Sequence, residues 1–198
     1  MIRDINVLLD VSMSMKECIA MIYLFLYELD RYLAKNTELE VRYRLTWFAS
    51  NKSERVMFEN GAASSTTARE PGKFFARMKT LQLKKGRPTN ETDLANGWKT
   101  MFDGMEGNAE EQIVLFFSDY RMRGEVSLAE ERGVQRVLLF TPGDSRCRYR
   151  FHTVNQYGKF QLAMPAVQWP LEQLKEEWDE PMWECLTDYL GIWRGEEG

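Results

Sequence analysis

Asp10, Ser12 and Ser14 bring one carboxylate and two hydroxyls together in the segment Asp10-Val11-Ser12-Met13-Ser14. Three oxygen donors in so short a loop suit a hard divalent cation, Mg²⁺ above all. Serines after a strand are also common helix N-caps, so Ser12 or Ser14 could equally cap whatever helix follows. A second carboxylate, Asp119, ends the apolar run Ile113 to Phe117 by way of Ser118.

These residues need elements that hold them. Residues 5–9 are apolar without alternation and read as a buried strand, and residues 15–35 carry Ile22, Leu26, Leu29 and Leu33 at helical spacing. Residues 40–49 alternate Val41, Tyr43, Leu45 and Trp47 with Arg42, Arg44 and Thr46, the pattern of a strand with one buried face. After the turn at 51–53, residues 54–58 return as a second strand of a hairpin. A loop at 60–70, a helix at about 72–81 and a polar loop at 84–91 follow. A helix runs from Thr92 to Phe102, stopped by Gly104 and Gly107. Residues 113–117 and 134–140 are buried strands, with a short helix around 126–132 between them. Tyr149, Phe151 and Val154 start a further strand, 160–164 form an edge strand, and 171–193 are helical with a break at Pro181. Unbroken apolar strands alternating with helices predict an α/β fold. Its central sheet is mainly parallel, covered on both faces, with one antiparallel edge strand at 54–58. In such sheets sites form beyond the carboxyl ends of the strands, where Asp10 and Asp119 both fall.

Composition narrows the function classes. At 198 residues one domain spanning 1–198 is expected, with a core over about 3–165 and a Trp-rich helical segment over about 166–198. The 44% hydrophobic content is enough for a real core, and a net charge of −4 without a long basic run gives no reason to expect nucleic-acid binding. No apolar stretch reaches membrane-spanning length and no signal peptide is visible, so no membrane role is expected. Cys18, Cys147 and Cys185 are odd in number and widely spaced, which argues against a disulfide framework and a zinc site. Together these point to a reducing, cytoplasmic compartment.

The order of motifs resembles the von Willebrand factor type A (vWA) family. Asp10-x-Ser12-x-Ser14 resembles the first motif of its metal-ion-dependent adhesion site (MIDAS), and Thr92-Asp93-Leu94-Ala95-Asn96-Gly97 is similar to the second. Phe116-Phe117-Ser118-Asp119 looks like the third. The match covers roughly residues 3 to 141, and three motifs in order with the right intervening elements carry more weight than any one alone. Two departures stand out. The loop before Thr92 is Gly86-Arg87-Pro88-Thr89-Asn90-Glu91 instead of Gly-Gly, which makes Thr89 a rival to Thr92. Tyr120, not Gly, follows Asp119.

The resemblance implies a three-layer, Rossmann-like vWA fold. It implies a Mg²⁺ (or Mn²⁺) site made by Asp10, Ser12, Ser14, Thr92 and Asp119. It also implies a non-enzymatic interaction module whose open metal position takes an acidic residue from a partner protein. Tyr120, Arg121 and Arg123 would lie on the rim, where the arginines could steer an acidic segment or be plain exposed loop charges. The resemblance is to small stand-alone prokaryotic cytoplasmic vWA proteins, of which the kinds known act beside AAA+ ATPases of the MoxR type or in tellurite-resistance, stress and defence gene clusters.

A Mg²⁺-dependent phosphohydrolase of the haloacid-dehalogenase type also places an Asp after its first strand. It wants a second Asp where Ser12 stands and an acidic pair where Asp119-Tyr120 stands, so its general acid and one ligand are missing. A metal-free vWA scaffold is the third possibility. The single histidine, His152, has no sequence support as half of a Ser-His or Cys-His pair, and no catalytic residue is assigned. Arg146, Arg148 and Arg150 read as a solvated edge-strand face. Beyond Pro181, Met182, Trp183, Leu186, Leu190 and Trp193 offer more apolar surface than a covering helix needs, which suggests a partner-binding extension.

Overall fold

A computed structural model describes residues 2–36, 40–49, 56–59, 66–67, 91–105, 107–108, 111–119, 126–128, 134, 136–141, 160–162, 167–171, 174 and 178–191. The helix expected at 72–81, the strand start at Tyr149, Phe151 and Val154, and His152, Cys147, Arg146, Arg148 and Arg150 lie outside the described residues. So do Tyr120, Arg121 and Arg123.

The elements are β1 (Ile2–Asp10), α1 (Ile19–Asn36), β2 (Glu40–Phe48), β3 (Val56–Glu59), β4 (Thr66–Thr67), α2 (Glu91–Asp103) and β5 (Gln112–Phe117). Then follow β6 (Val126–Leu128), β7 (Arg136–Thr141), β8 (Phe160–Leu162), β9 (Val167–Pro170) and α3 (Glu180–Leu190). The main sheet has the order β3-β2-β1-β5-β7-β9, with β4 also on β2. β2, β1, β5, β7 and β9 are mutually parallel, whereas β3 and β4 both run antiparallel along the outer edge of β2.

The two side-chain sets of β1, β2, β5 and β7 feed two different cores, which makes three layers. Ile5, Val7, Leu9, Tyr43, Leu45, Ile113, Leu115, Phe117 and Phe140 join Ile22, Phe25, Leu26 and Leu29 of α1 and Trp183, Leu186 and Leu190 of α3. Leu8, Phe48, Val114, Phe116 and Leu139 meet Leu94, Trp98, Met101 and Phe102 of α2 on the other face.

Several expectations are corrected. Residues 126–128, read as helix, form β6, which pairs in parallel with β8 in a separate two-stranded sheet. β8 is therefore not an edge strand of the main sheet. The segment before Pro181 contains a strand, β9, that extends the main sheet beside β7. Pro181 does not break a helix but lies in the first turn of α3, where its missing N–H costs nothing. Asp179 caps that helix by accepting from the Met182 N–H at 3.0 Å. Gly191 ends it at φ 63°. With Trp183, Leu186 and Leu190 buried, α3 beyond Pro181 is part of the core, so those three side chains are not free to form an extension.

β2 is also buried on both faces. Arg44 and Thr46 are 4% and 2% exposed. Arg44 is held by Asp4, 3.5 Å away, and donates to the Gly104 carbonyl just past the end of α2. Across the sheet, Asp30 of α1 faces Tyr43 of β2 inside the other core. Burial raises the Asp30 carboxyl from about 3.8 to about 6, and burial with the Asp30 charge pushes the Tyr43 hydroxyl well above 10.

Because the folded Asp30 binds its proton more tightly than the unfolded one, its contribution to stability is full below about pH 3.8 and lost as pH rises through about 6. Asp30→Asn should therefore be more stable than wild type at pH 8, with an advantage that shrinks on acidification across that window. Urea midpoints of both proteins as a function of pH check this. A difference independent of pH would remove the assignment.

Candidate metal centre

β1 and β5 are adjacent and parallel, with Leu9 opposite Phe117, so Asp10 and Ser118-Asp119 leave the sheet side by side. From β1 the chain crosses to β2 on one side, and β5 lies on the other. The crevice between the two strand ends is thus the topological switch point, where an open parallel sheet leaves room for a ligand.

Asp10 is 2% exposed and each of its oxygens is engaged. Oδ1 accepts from the Ser12 backbone N–H at 2.9 Å, a local turn that carries the chain back over the strand end. Oδ2 accepts from the Ser118 hydroxyl at 2.8 Å. Burial lifts the Asp10 carboxyl from about 3.8 to about 6, helped by the charge of Asp119 and opposed by the Ser12 and Ser118 hydrogen bonds. The Asp119 charge therefore reaches Asp10, and Asp119 Oδ2 is itself buried.

Ser12 stands at the N-cap position of the short 3₁₀ turn Met13–Met15, yet its side chain makes no capping bond. Its hydroxyl lies 3.0 Å from that of Ser14. Two cis ligands of a Mg²⁺ ion at about 2.1 Å are separated by about 3.0 Å in a regular octahedron. The pair can thus exchange its mutual hydrogen bond for a shared cation with little movement. Carboxylate and hydroxyl oxygens are the donors such an ion takes, so the residues present fit it. Among the described residues no three His, Cys, Asp or Glu side chains gather at one point.

α2 brings the second motif to the same end of the sheet. Just beyond its C-terminal end the Gly104 carbonyl meets Arg44, midway along β2, while Gly97 lies against Phe48 at the end of β2. The helix therefore runs antiparallel to the strands. Its first turn, with Thr92, projects past Phe48 toward the edge where Asp10 stands. The Thr92 side chain lies outside the described residues.

Asp10, Ser12 and Ser14 are thus gathered with Asp119, and the backbone of Thr92 is directed to them. Ser118 is a contributor that residue types alone did not single out; its signal was a hydroxyl residue ending the strand beside that of Asp10. Asp93, next to Thr92, is fully buried as well.

Gly97 lets α2 approach. A Cβ there would lie 3.1 Å from Cβ, Cγ and Cδ1 of Phe48. Gly97→Ala should be mild, because a helix gains roughly 1 kcal/mol from Ala over Gly. Gly97→Leu should push the helix and its first turn away and weaken Mn²⁺ binding about tenfold or more, or about 1.4 kcal/mol. Calorimetric titration of both variants checks this, and unchanged affinity in a folded Gly97→Leu protein would contradict it.

No family model and no curated protein matches the chain. Solved structures do. A structure of proximal thread matrix protein 1 from the mussel byssus is similar with a TM-score of 0.53 and 15% identity over 95% of this chain. A second structure of that protein, with a zinc-occupied MIDAS motif, gives 0.52 and 14% over 95% of this chain. The chain spans 48% of each of these. The pilus adhesin SpaC from Lactobacillus rhamnosus GG, in an open conformation, matches 67% of this chain and 16% of its own, with a TM-score of 0.44 and 15% identity. At these identities the likeness concerns the fold, and the fold of this chain is vWA-like.

Proposed function

We propose that the chain is a non-enzymatic vWA-type interaction module that binds a partner protein through a divalent ion, Mg²⁺ or Mn²⁺. Asp10, Ser12, Ser14, Thr92 and Asp119 hold the ion. The observation that carries this reading is the placement of two carboxylates, the buried Asp10 and Asp119, beside two hydroxyls 3.0 Å apart at the switch point of the sheet. A cation there offsets the charge that Asp119 adds beside the buried Asp10 and takes the oxygens gathered around it. Mg²⁺ prefers six ligands, so five protein residues leave a position for a carboxylate of the partner. Tyr120, Arg121 and Arg123 follow Asp119 directly and form the rim in this reading. A zinc-occupied MIDAS motif in a structure of similar fold supports metal binding. The partner presents an Asp or Glu; an AAA+ ATPase in the cytoplasm is the setting the family resemblance favours. Among the described residues no helix is long and apolar enough to cross a membrane. The phosphohydrolase alternative is not favoured, because Ser12, where that chemistry wants a second carboxylate, is occupied with Ser14.

The test is a pull-down with the full chain, with Mg²⁺ and with chelator, alongside Ser12→Ala/Ser14→Ala. Capture should need the ion and fail in the double variant. Equal capture under all conditions, or phosphatase turnover abolished by Asp10→Asn, would overturn the reading.

A further inference from the structure

Most of α1 is committed to the core, but one of its faces is uncovered. Leu24 is 58% exposed and Tyr27 40%, and Leu24 is the most exposed large apolar side chain among the described residues. Ala20, Arg31 and Lys35 are exposed as well. At 3.6 residues per turn, positions 20, 24, 27, 31 and 35 fall on one stripe. Tyr23 borders the stripe and stacks on Tyr27, with ring centres 6.3 Å apart, which restricts both rings before any partner arrives. The two ends of the stripe carry opposite charges. Glu17 is exposed in the turn that leads into the helix, one residue before the Cys18 carbonyl accepts from the Ile22 N–H at 2.9 Å. Lys35 lies eighteen residues, or about five helical turns, beyond it and so on the same side of the stripe. Among the described residues neither side chain has an ion-pair partner.

We propose that this face of α1 is an interface between two copies of the chain, packed antiparallel about a twofold axis that passes between Leu24 and Tyr27. The stripe is complementary to itself in that direction. Leu24 of one copy meets Tyr27 of the other, Ala20 meets Arg31, and Glu17 meets Lys35, each contact being made twice by symmetry. Ala20 is small enough to leave room for the guanidinium, which keeps Glu28 of its own helix at 3.2 Å. Lys16 lies on the opposite border of the stripe and faces Ala34, so it does not oppose Lys35. A parallel pair would set Arg31 on Arg31 and Lys35 on Lys35, and like charges in contact disfavour it. One helix face is smaller than a standard interface, so the association is weak, on the order of tens of micromolar. The dimer does not depend on the metal reading. Because α1 starts just after Ser14 and the two helices are antiparallel, the two strand-end sites stand at opposite ends of the pair.

The experiment is sedimentation equilibrium of the full chain in chelator, from about 1 to about 500 µM, a range that brackets so weak an association. Wild type should pass from monomer to dimer across it. Leu24→Ser should stay monomeric with an unchanged circular-dichroism spectrum, since an exposed side chain contributes little to the fold. Glu17→Lys and Lys35→Glu should each weaken the dimer roughly tenfold, because a reversal turns two attractive contacts into two repulsive ones. Glu17→Lys/Lys35→Glu should return to within about threefold of wild type. An equimolar mixture of the two single variants should do the same, because both pairs are then restored between copies and neither is restored within one. Three results overturn the proposal. A monomer at every concentration leaves the face to a different protein. Leu24→Ser dimerising like wild type places the interface elsewhere. A double variant or a mixture no tighter than the single variants removes the antiparallel pairing of Glu17 with Lys35.

Discussion

Asp10→Asn should change stability in opposite directions with and without a divalent ion. In chelator at pH 8 the variant should be more stable than wild type by up to about 3 kcal/mol. The reason is that burial, with the Asp119 charge, raises the Asp10 carboxyl to about 6 from about 3.8. Above that value the folded protein keeps a carboxylate ionised where it is poorly solvated. The sign follows from linkage: this contribution favours the native state below about pH 3.8 and is lost as pH rises through about 6. With Mg²⁺ the order should invert. An ion at a thousandfold its dissociation constant stabilises the native state by about 4.1 kcal/mol, and the variant forgoes most of this. Urea melts of both proteins in chelator and in Mg²⁺ give the four numbers required. Equal Mg²⁺ gains in the two proteins would remove Asp10 from the ligand set. A variant less stable than wild type in chelator would show that its two hydrogen bonds outweigh the burial of charge. Such a carboxylate trades stability for a site.

Asp4→Ala should be the most damaging single change for the fold. Asp4 is fully buried and receives Arg42 Nε at 2.6 Å and Nη2 at 3.0 Å, and Gln112 Nε2 at 3.0 Å, with Arg44 Nη2 at 3.5 Å. Gln112 in turn accepts from Asn6 Nδ2 at 2.9 Å. The Arg44 side chain is 5% exposed, so losing Asp4 removes a counter-charge from a buried guanidinium. Breaking one side of a buried pair costs about 3–5 kcal/mol. Adding Arg44→Met should recover part of that loss, because an apolar replacement needs no partner. Urea denaturation of the single and double variants measures both. The network lies toward the start of β1, about 20 Å from Asp10 at about 3.3 Å per residue. The Mg²⁺ gain of the folded double variant should therefore match wild type. A loss under about 1 kcal/mol in Asp4→Ala, or a lost Mg²⁺ gain, would show that the network is not a separate structural unit.

What the chain announces locally is the site's chemistry and the sheet's character. Asp10, Ser12 and Ser14 follow a run of apolar residues, and Asp119 follows another; spacing and strand hydrophobicity need no distant information. The same holds for α1, whose stripe of Ile22, Leu26, Leu29 and Leu33 lies wholly within the core.

What only tertiary structure decided is where one element covers another. The alternation in β2 marks one face as apolar, but nothing local says that α2 closes the second face, so Arg44 reads as a surface residue until Asp4 is placed beside it. Ser118 and Asp10 are 108 residues apart, and only the pairing of β5 with β1 makes one a hydrogen-bond donor to the other. The short strand β6 exists because β8 lies alongside; three residues of local pattern cannot outweigh a ladder supplied from elsewhere. Likewise the apolar surplus of Met182 to Leu190 reads as a free surface in isolation. In the structure Trp183 stacks on Tyr32 and on Phe25, at 5.3 Å and 5.9 Å between ring centres. Local sequence carries donors and periodicity, whereas burial is a property of pairs of elements and becomes definite only when both are in place.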